Sequence, residues 1–299
     1  MNKIFALCFL LFASLLFSAG SFKTAAQEKK PDSNTTELDK LWKKQRDKAF
    51  EKRNAPVGNN PRGIVVPREL GASIVKQQAK LAEMKKNGFE MPLDYAGLAD
   101  LFVKGELIEI PLATENYYLE VGSMIGDELL TSFDFDKGTT VLKPSDAKYA
   151  TLKKLADDFG GTKYDLDNPA ERKQFKLRLF RTLAPAAKPV LEELAAAYQE
   201  RFNRPLRITA MARSIEYQVD LNKVNAGSFL VRDKDSLPSH SSGLAFDIGY
   251  KHLTAEEQNF LMSRIARLEK DGKIDGLREM GINSTLHVFV YADGIAPKI

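Results

Sequence analysis

Cysteine is almost missing from this chain of 299 residues: the one present, Cys8, lies inside an apolar N-terminal run. A chain cut after that run holds no thiol, which excludes both a disulfide framework and a thiolate metal site. Histidine is nearly as scarce, with three residues, His240, His252 and His287. Charge of one sign is also lacking. The 44 lysines and arginines are offset by 40 acidic residues, for a formal charge of +4. Loss of Lys3 and Lys23 with a leader lowers that charge by two, and so even a balance gives no footing for a nucleic-acid partner. Long apolar runs are missing too. The longest, Ile4 to Phe17, falls short of the roughly 20 residues a spanning helix needs. With Lys3 before it and small residues offering cleavage after Gly20 or Ala26, it reads as a secretory signal peptide over residues 1–26. Export without disulfides suits the bacterial envelope, periplasmic or secreted, with no transmembrane segment left after cleavage.

Roughly 270 residues remain, enough for one large domain or two small ones. Residues 27–65 comprise a polar tract, a helix from Thr36 to Arg53 striped by Leu38, Leu41, Trp42 and Ala49, and the breaker "NAPVGNNPRG". Residues 66–144 read as short helices followed by extended stretches, with no chemistry that can be named. From 145 to 299 helices alternate with short strands. "PLRITAM" is a strand leading into the helix "ARSIEYQVDLNKVN", and "GLAFDIGY" is another strand. The helix "LTAEEQNFLMSRIARLEKDG" starts at a Thr254/Glu257 capping box and stops at Gly272. "KIDGLREMGINSTLHVFVY" holds two strands turning between Gly281 and Ser284. The expected class is α+β, a small antiparallel sheet flanked by helices, with a mainly helical N-terminal extension.

The segment "LPSHSSGLAFDIGY" places His240 in a serine-rich loop, Gly243 at a tight turn and Asp247 in the strand that follows. An ordinary loop and strand would account for it. A zinc site is the sharper reading, because catalytic zinc takes three histidine or carboxylate ligands and keeps one position open. His287 is a candidate third ligand. In "TLHVFVY", alternation sets Leu286, Val288 and Val290 on one face and His287, Phe289 and Tyr291 on the other. A satisfied core histidine fits that position as well. His252, just before the Thr254 cap, reads as a surface or capping residue.

"HSSGLAFDIG", the upstream "ARSIEYQVDL" and a late histidine, in that order, resemble the pattern of the LAS-type zinc peptidases. These include D-alanyl-D-alanine carboxypeptidases and dipeptidases of the VanY and VanX kind. Over a longer stretch, "SIVKQQ", "GLADLFVKGELIEIP" and "NRPLRITAMARSIEYQ" are similar to an exported bacterial family related to these peptidases and without settled function. The resemblance implies Zn2+ held by His240, Asp247 and His287. It implies Arg213 as the donor to a substrate carboxylate or oxyanion, with Gln218 supporting the pocket, and peptidoglycan stem peptides as partners. Two departures stand out. Pro238 occupies the place of the family's serine, with Ser239 next to the histidine. The family's glutamate before the last histidine has no counterpart either, since "GINSTLHVFV" holds no acid between Gly281 and His287. Glu279 is the candidate catalytic base: a hairpin pairing Gly281 with Thr285 would set it opposite His287. Glu216 and the loop acids Asp233 and Asp235 are the alternatives. Without a base, the same site would belong to an inactive envelope module that binds cell-wall peptides.

Overall fold

The structure is a computed structural model that describes residues 36–51, 61–71, 73–122, 133–134, 139–140, 146–281 and 283–298. The expected signal peptide, the polar tract after it and the greater part of the "NAPVGNNPRG" breaker lie outside the described residues.

Local signals in the sequence account for most element boundaries. Helix α1 (Glu37–Ala49) begins at the Thr36–Asp39 capping box. Helices α2 (Val75–Lys86) and α3 (Tyr95–Val103) follow, α3 capped by the Asp94 carboxylate on the Gly97 N–H. A short β1 (Ile108–Glu109) leads to β2 (Tyr117–Leu119), and β3 (Phe133–Asp134) pairs with β4 (Thr139–Thr140). Helices α4 (Ala147–Asp157) and α5 (Pro169–Phe180) precede β5 (Thr182–Leu183), which pairs with β1. Helix α6 (Lys188–Phe202) ends at Asn203 in the left-handed conformation, so the chain turns before Pro205 into β6 (Leu206–Ala210). Helix α7 (Ile215–Val224) is capped by Ser214. Strand β7 (Ala245–Gly249), helix α8 (Ala255–Lys270) with its Thr254–Glu257 capping box, and the hairpin β8 (Ile274–Arg278) and β9 (Thr285–Val290) complete the chain.

The class is α+β as expected, but the main sheet is mixed. Its order is β2-β6-β7-β9-β8, antiparallel except where β2 runs parallel to β6. Parallel neighbours need a long crossover, and here the chain passes through α4, α5 and α6 between the two. Strand alternation then gives the sheet two different faces. Phe246, Ile248, Leu286, Val288 and Val290 face one way, into a core closed by Leu191, Leu194 and Tyr198 of α6 and Leu261, Met262 and Ile265 of α8. Helix α8 comes so close that a Cβ on Gly276 of β8 would lie 2.5 Å from Ile265 Cγ2. A second core joins α3, α4, α5 and α7 through Phe159, Phe175, Phe180 and Tyr217. Residues from Thr36 onward make one compact unit, with α1 held to the β2 edge by Trp42 Nε1, which donates to Leu119 O at 2.7 Å. The lysines of α1 keep a solvated face, as its sequence suggested. Among the described residues no helix is long and apolar enough to cross a membrane.

Candidate metal centre

The opposite face of the sheet carries the polar residues. His287 of β9 lies directly across from Asp247 of β7. Strands β6 and β7 lose register beside Asp247, where Ala210 pairs with it although Ile208 pairs with Ile248. Such a bulge bends the strand and re-aims side chains. His240 arrives on a short 3-10 turn, Ser239–Ser242, that ends at Gly243 with φ +72°. Only glycine serves there: a Cβ would meet Leu107 Cδ2 at 2.3 Å and Ala184 N at 3.2 Å, in a conformation that side chains resist.

His240, Asp247 and His287 are all buried, and one ligand atom from each lies within 4.8 Å of the others. His240 Nε2 is 3.3 Å from Asp247 Oδ2, and His287 Nδ1 is 2.8 Å from Asp247 Oδ1. The far nitrogens decide what these contacts are. His240 Nδ1 is 2.9 Å from Met211 O, a carbonyl that only accepts, so Nδ1 carries the proton and donates. In a neutral ring, Nε2 then turns a lone pair toward the carboxylate. His287 Nε2 is 3.1 Å from Gln77 Oε1, another acceptor, and 3.2 Å from Ser239 Oγ. Its Nδ1 likewise faces Asp247 with a lone pair unless the ring is an imidazolium. Burial and the Arg213 charge push His240 down to about 4, so it is neutral at physiological pH. Burial works against protonated His287 too, but the hydrogen bond and charge of Asp247 outweigh it and raise its pKa. Burial would raise Asp247, yet the two histidines hold it well below the usual carboxylate range. With His287 neutral, two imidazoles and a carboxylate aim acceptor atoms at one point, each ring being fixed from behind. That donor set fits a divalent metal ion.

The ligands open onto a cavity of about 220 Å³, also lined by Arg213, Tyr217, Phe229 and Glu279. Arg213 Nη2 lies 3.5 Å from Asp247 Oδ2, while its Nη1 donates to Gln218 Oε1 at 3.2 Å. Gln218 stands behind Arg213, and its Nε2 donates to Phe229 O. Glu279 does not sit opposite His287; Leu277 does, and the Glu279 N–H donates to Thr285 O. The hairpin register is offset by two residues from the Gly281–Thr285 pairing, because the turn spans more of the chain and uses left-handed Gly281 and Ser284. An offset of two keeps side-chain parity, so Glu279 still faces the cavity. Its Oε2 accepts from Asn283 Nδ2 at 2.8 Å and Thr285 Oγ1 at 3.1 Å, and burial with the Asp247 charge raises its pKa. The other acids are placed elsewhere. Glu216 is buried on α7 with its backbone N–H donating to Leu93 O, Asp235 pairs with Lys85 at 2.6 Å, and Asp233 accepts from Ser236 within its loop. His252 is exposed and stacks edge-on against Phe50.

One contact carries no assigned role in the sequence, although it lies in the matching stretch "SIVKQQ". Gln77, from the region with no chemistry to name, is 1% exposed and touches a candidate ligand. A glutamine in a lysine-rich amphipathic helix looks like any solvated position. No protein-family model matches this chain, and neither does any curated protein or solved structure.

Proposed function

We propose that this chain is an exported zinc metallopeptidase that hydrolyses peptidoglycan stem peptides near D-alanine, of the LAS type its sequence resembles. The observation that carries the reading is the convergence of His240 Nε2, Asp247 and His287 Nδ1 in a cavity that also holds a carboxylate and a guanidinium. Zinc, when bound, supplies a Lewis acid and makes water a nucleophile near neutral pH. The remaining work falls to side chains. Glu279 takes a proton from water and passes it to the leaving amine, a role favoured by a pKa raised toward the working range. Asn283 and Thr285 hold Glu279 Oε2, which limits where that proton is exchanged. Arg213 offers a planar, permanently charged fork to a peptide carboxylate or an oxyanion. Gln218 fixes the fork's other edge.

The test is zinc stoichiometry of the purified protein together with digestion of muropeptides. One zinc per chain in wild type, lost in His240→Ala and in His287→Ala, is the expected result. Glu279→Gln should keep the zinc and lower turnover by about 10²–10⁴-fold. Zinc binding without digestion, unchanged by Glu279→Gln, would leave an inactive module that binds cell-wall peptides. No zinc after reconstitution would remove the metallopeptidase reading altogether.

A further inference from the structure

We infer that Gln77 of α2 is a positioning residue for the metal centre: its Oε1 takes the Nε2 proton of His287 and so fixes the tautomer that turns the Nδ1 lone pair toward Asp247. The inference rests on the metal reading above and adds to it a residue some two hundred positions from the ligand it serves, at a sequence separation of 210.

A glutamine amide has two ends, one accepting and one donating, and either can face a histidine. The contact with His287 decides between them, and Asp275 favours the same choice. Asp275 sits on β8, paired with Phe289 of β9, on the face that also carries His287, and it is 3% exposed. The carbonyl end is the one that reaches His287, with Oε1 3.1 Å from Nε2. The Asp275 carboxylate, which only accepts when ionised, favours the NH2 end toward itself, although Gln77 Nε2 makes no hydrogen bond of its own among the described residues. The reverse orientation would set an N–H against His287 Nε2. That would drive the ring proton to Nδ1 and place it between the ring and Asp247, where an ion would have to sit. Because Gln77 is buried, water does not readily take over either partner.

Helix α2 is tied down along its length, which gives the amide a fixed place. Gln78 Nε2 donates to Leu237 O at 2.8 Å, just before the His240 turn. Lys76 pairs with Glu269 of α8 at 3.0 Å, Lys80 with Asp293 at 2.6 Å, and Lys85 with Asp235 at 2.6 Å. These anchors reach the elements on either side of β7 and β9. A partner behind a metal-binding histidine sets ring orientation and basicity, and losing one typically costs 10–100-fold in metal affinity.

The experiment uses the full chain, with zinc as the probe in competition with a chromophoric chelator. It adds 15N imidazole spectra, which show which ring nitrogen carries the proton. Gln77→Leu should weaken zinc about 10–100-fold and remove the preference for the Nε2-protonated tautomer of His287. The double substitution Gln77→Glu with Asp275→Asn keeps an acceptor toward His287 and a donor beside it. It should restore affinity to within about threefold of wild type, a rescue that a merely loosened fold would not show. Zinc binding by Gln77→Leu as tight as wild type would overturn the assignment while leaving the metal reading intact. So would a wild-type zinc complex in which His287 carries its proton on Nδ1, and that spectrum decides the matter even if Gln77→Leu fails to fold. A wild type that binds no zinc overturns the metal reading itself.

Discussion

A carboxylate that faces two imidazole nitrogens is satisfied only when a proton or a metal ion lies between them. In the ion-free protein, the raised pKa of His287 means that its Nδ1 proton fills that role on one side of Asp247. On the zinc reading proposed above, the ion must displace this proton, so binding should release close to one proton per ion in mildly acidic solution and fewer as pH rises. Calorimetry in buffers of different ionisation enthalpy measures the release, and zinc affinity should fall as pH falls. Asp275 gives a second, independent pH signal. Burial raises its pKa to about 6, whereas the unfolded carboxyl stays near its ordinary value. A raised folded pKa favours the native state while the group is protonated, so this contribution is present below about pH 4 and is lost as pH climbs through about 6. Its size is on the order of 2 kcal/mol. Urea melts of wild type and Asp275→Asn from pH 4 to 7 should diverge by about that amount. At this scale His240 and Asp247 were legible because a scarce residue stood beside a glycine turn and a strand. Gln77 was not, because nothing local sets a partner of His287 apart from any other helical glutamine.

Elements were the most legible part of the chain. Capping at Thr254, the stop at Gly272 and the alternation of "TLHVFVY" each follow from short-range chemistry, and the structure follows them. Register is a different matter. The β8–β9 pairing depends on how the turn closes, and it settled two residues away from the pairing the sequence suggested. Glu279 kept its face only because the offset is even. The His240 turn depends on one backbone angle. Gly243→Ala adds a Cβ against Leu107 and the Ala184 backbone at φ +72°. It should lower stability by about 1–3 kcal/mol and, by displacing the turn, weaken zinc as well. Thermal unfolding and chelator competition on the same sample check both effects.

On the scale of the whole molecule, the sheet divides labour between its faces, one apolar under α6 and α8 and one lined with the candidate ligands, where Gln77 of α2 meets His287. A lesion on the apolar face should therefore cost stability without touching the chemistry. Ile265 is fully buried against Gly276 and the α6–α8 core. Ile265→Ala should lose about 2–5 kcal/mol in a denaturant melt while retaining one zinc per chain below its transition. The parallel β2 strand was hidden from a sequence reading because its partner, β6, lies beyond three helices, and local patterns carry no information about pairing over such a span. The same long reach sets a timetable. Helix α2 and strand β2 leave the ribosome well before β7 and β9 exist, so Gln77 has no histidine to orient and β2 has no pairing strand until β6 is made. Contacts of this range slow folding, and the three candidate ligands can converge only once His287 has been made.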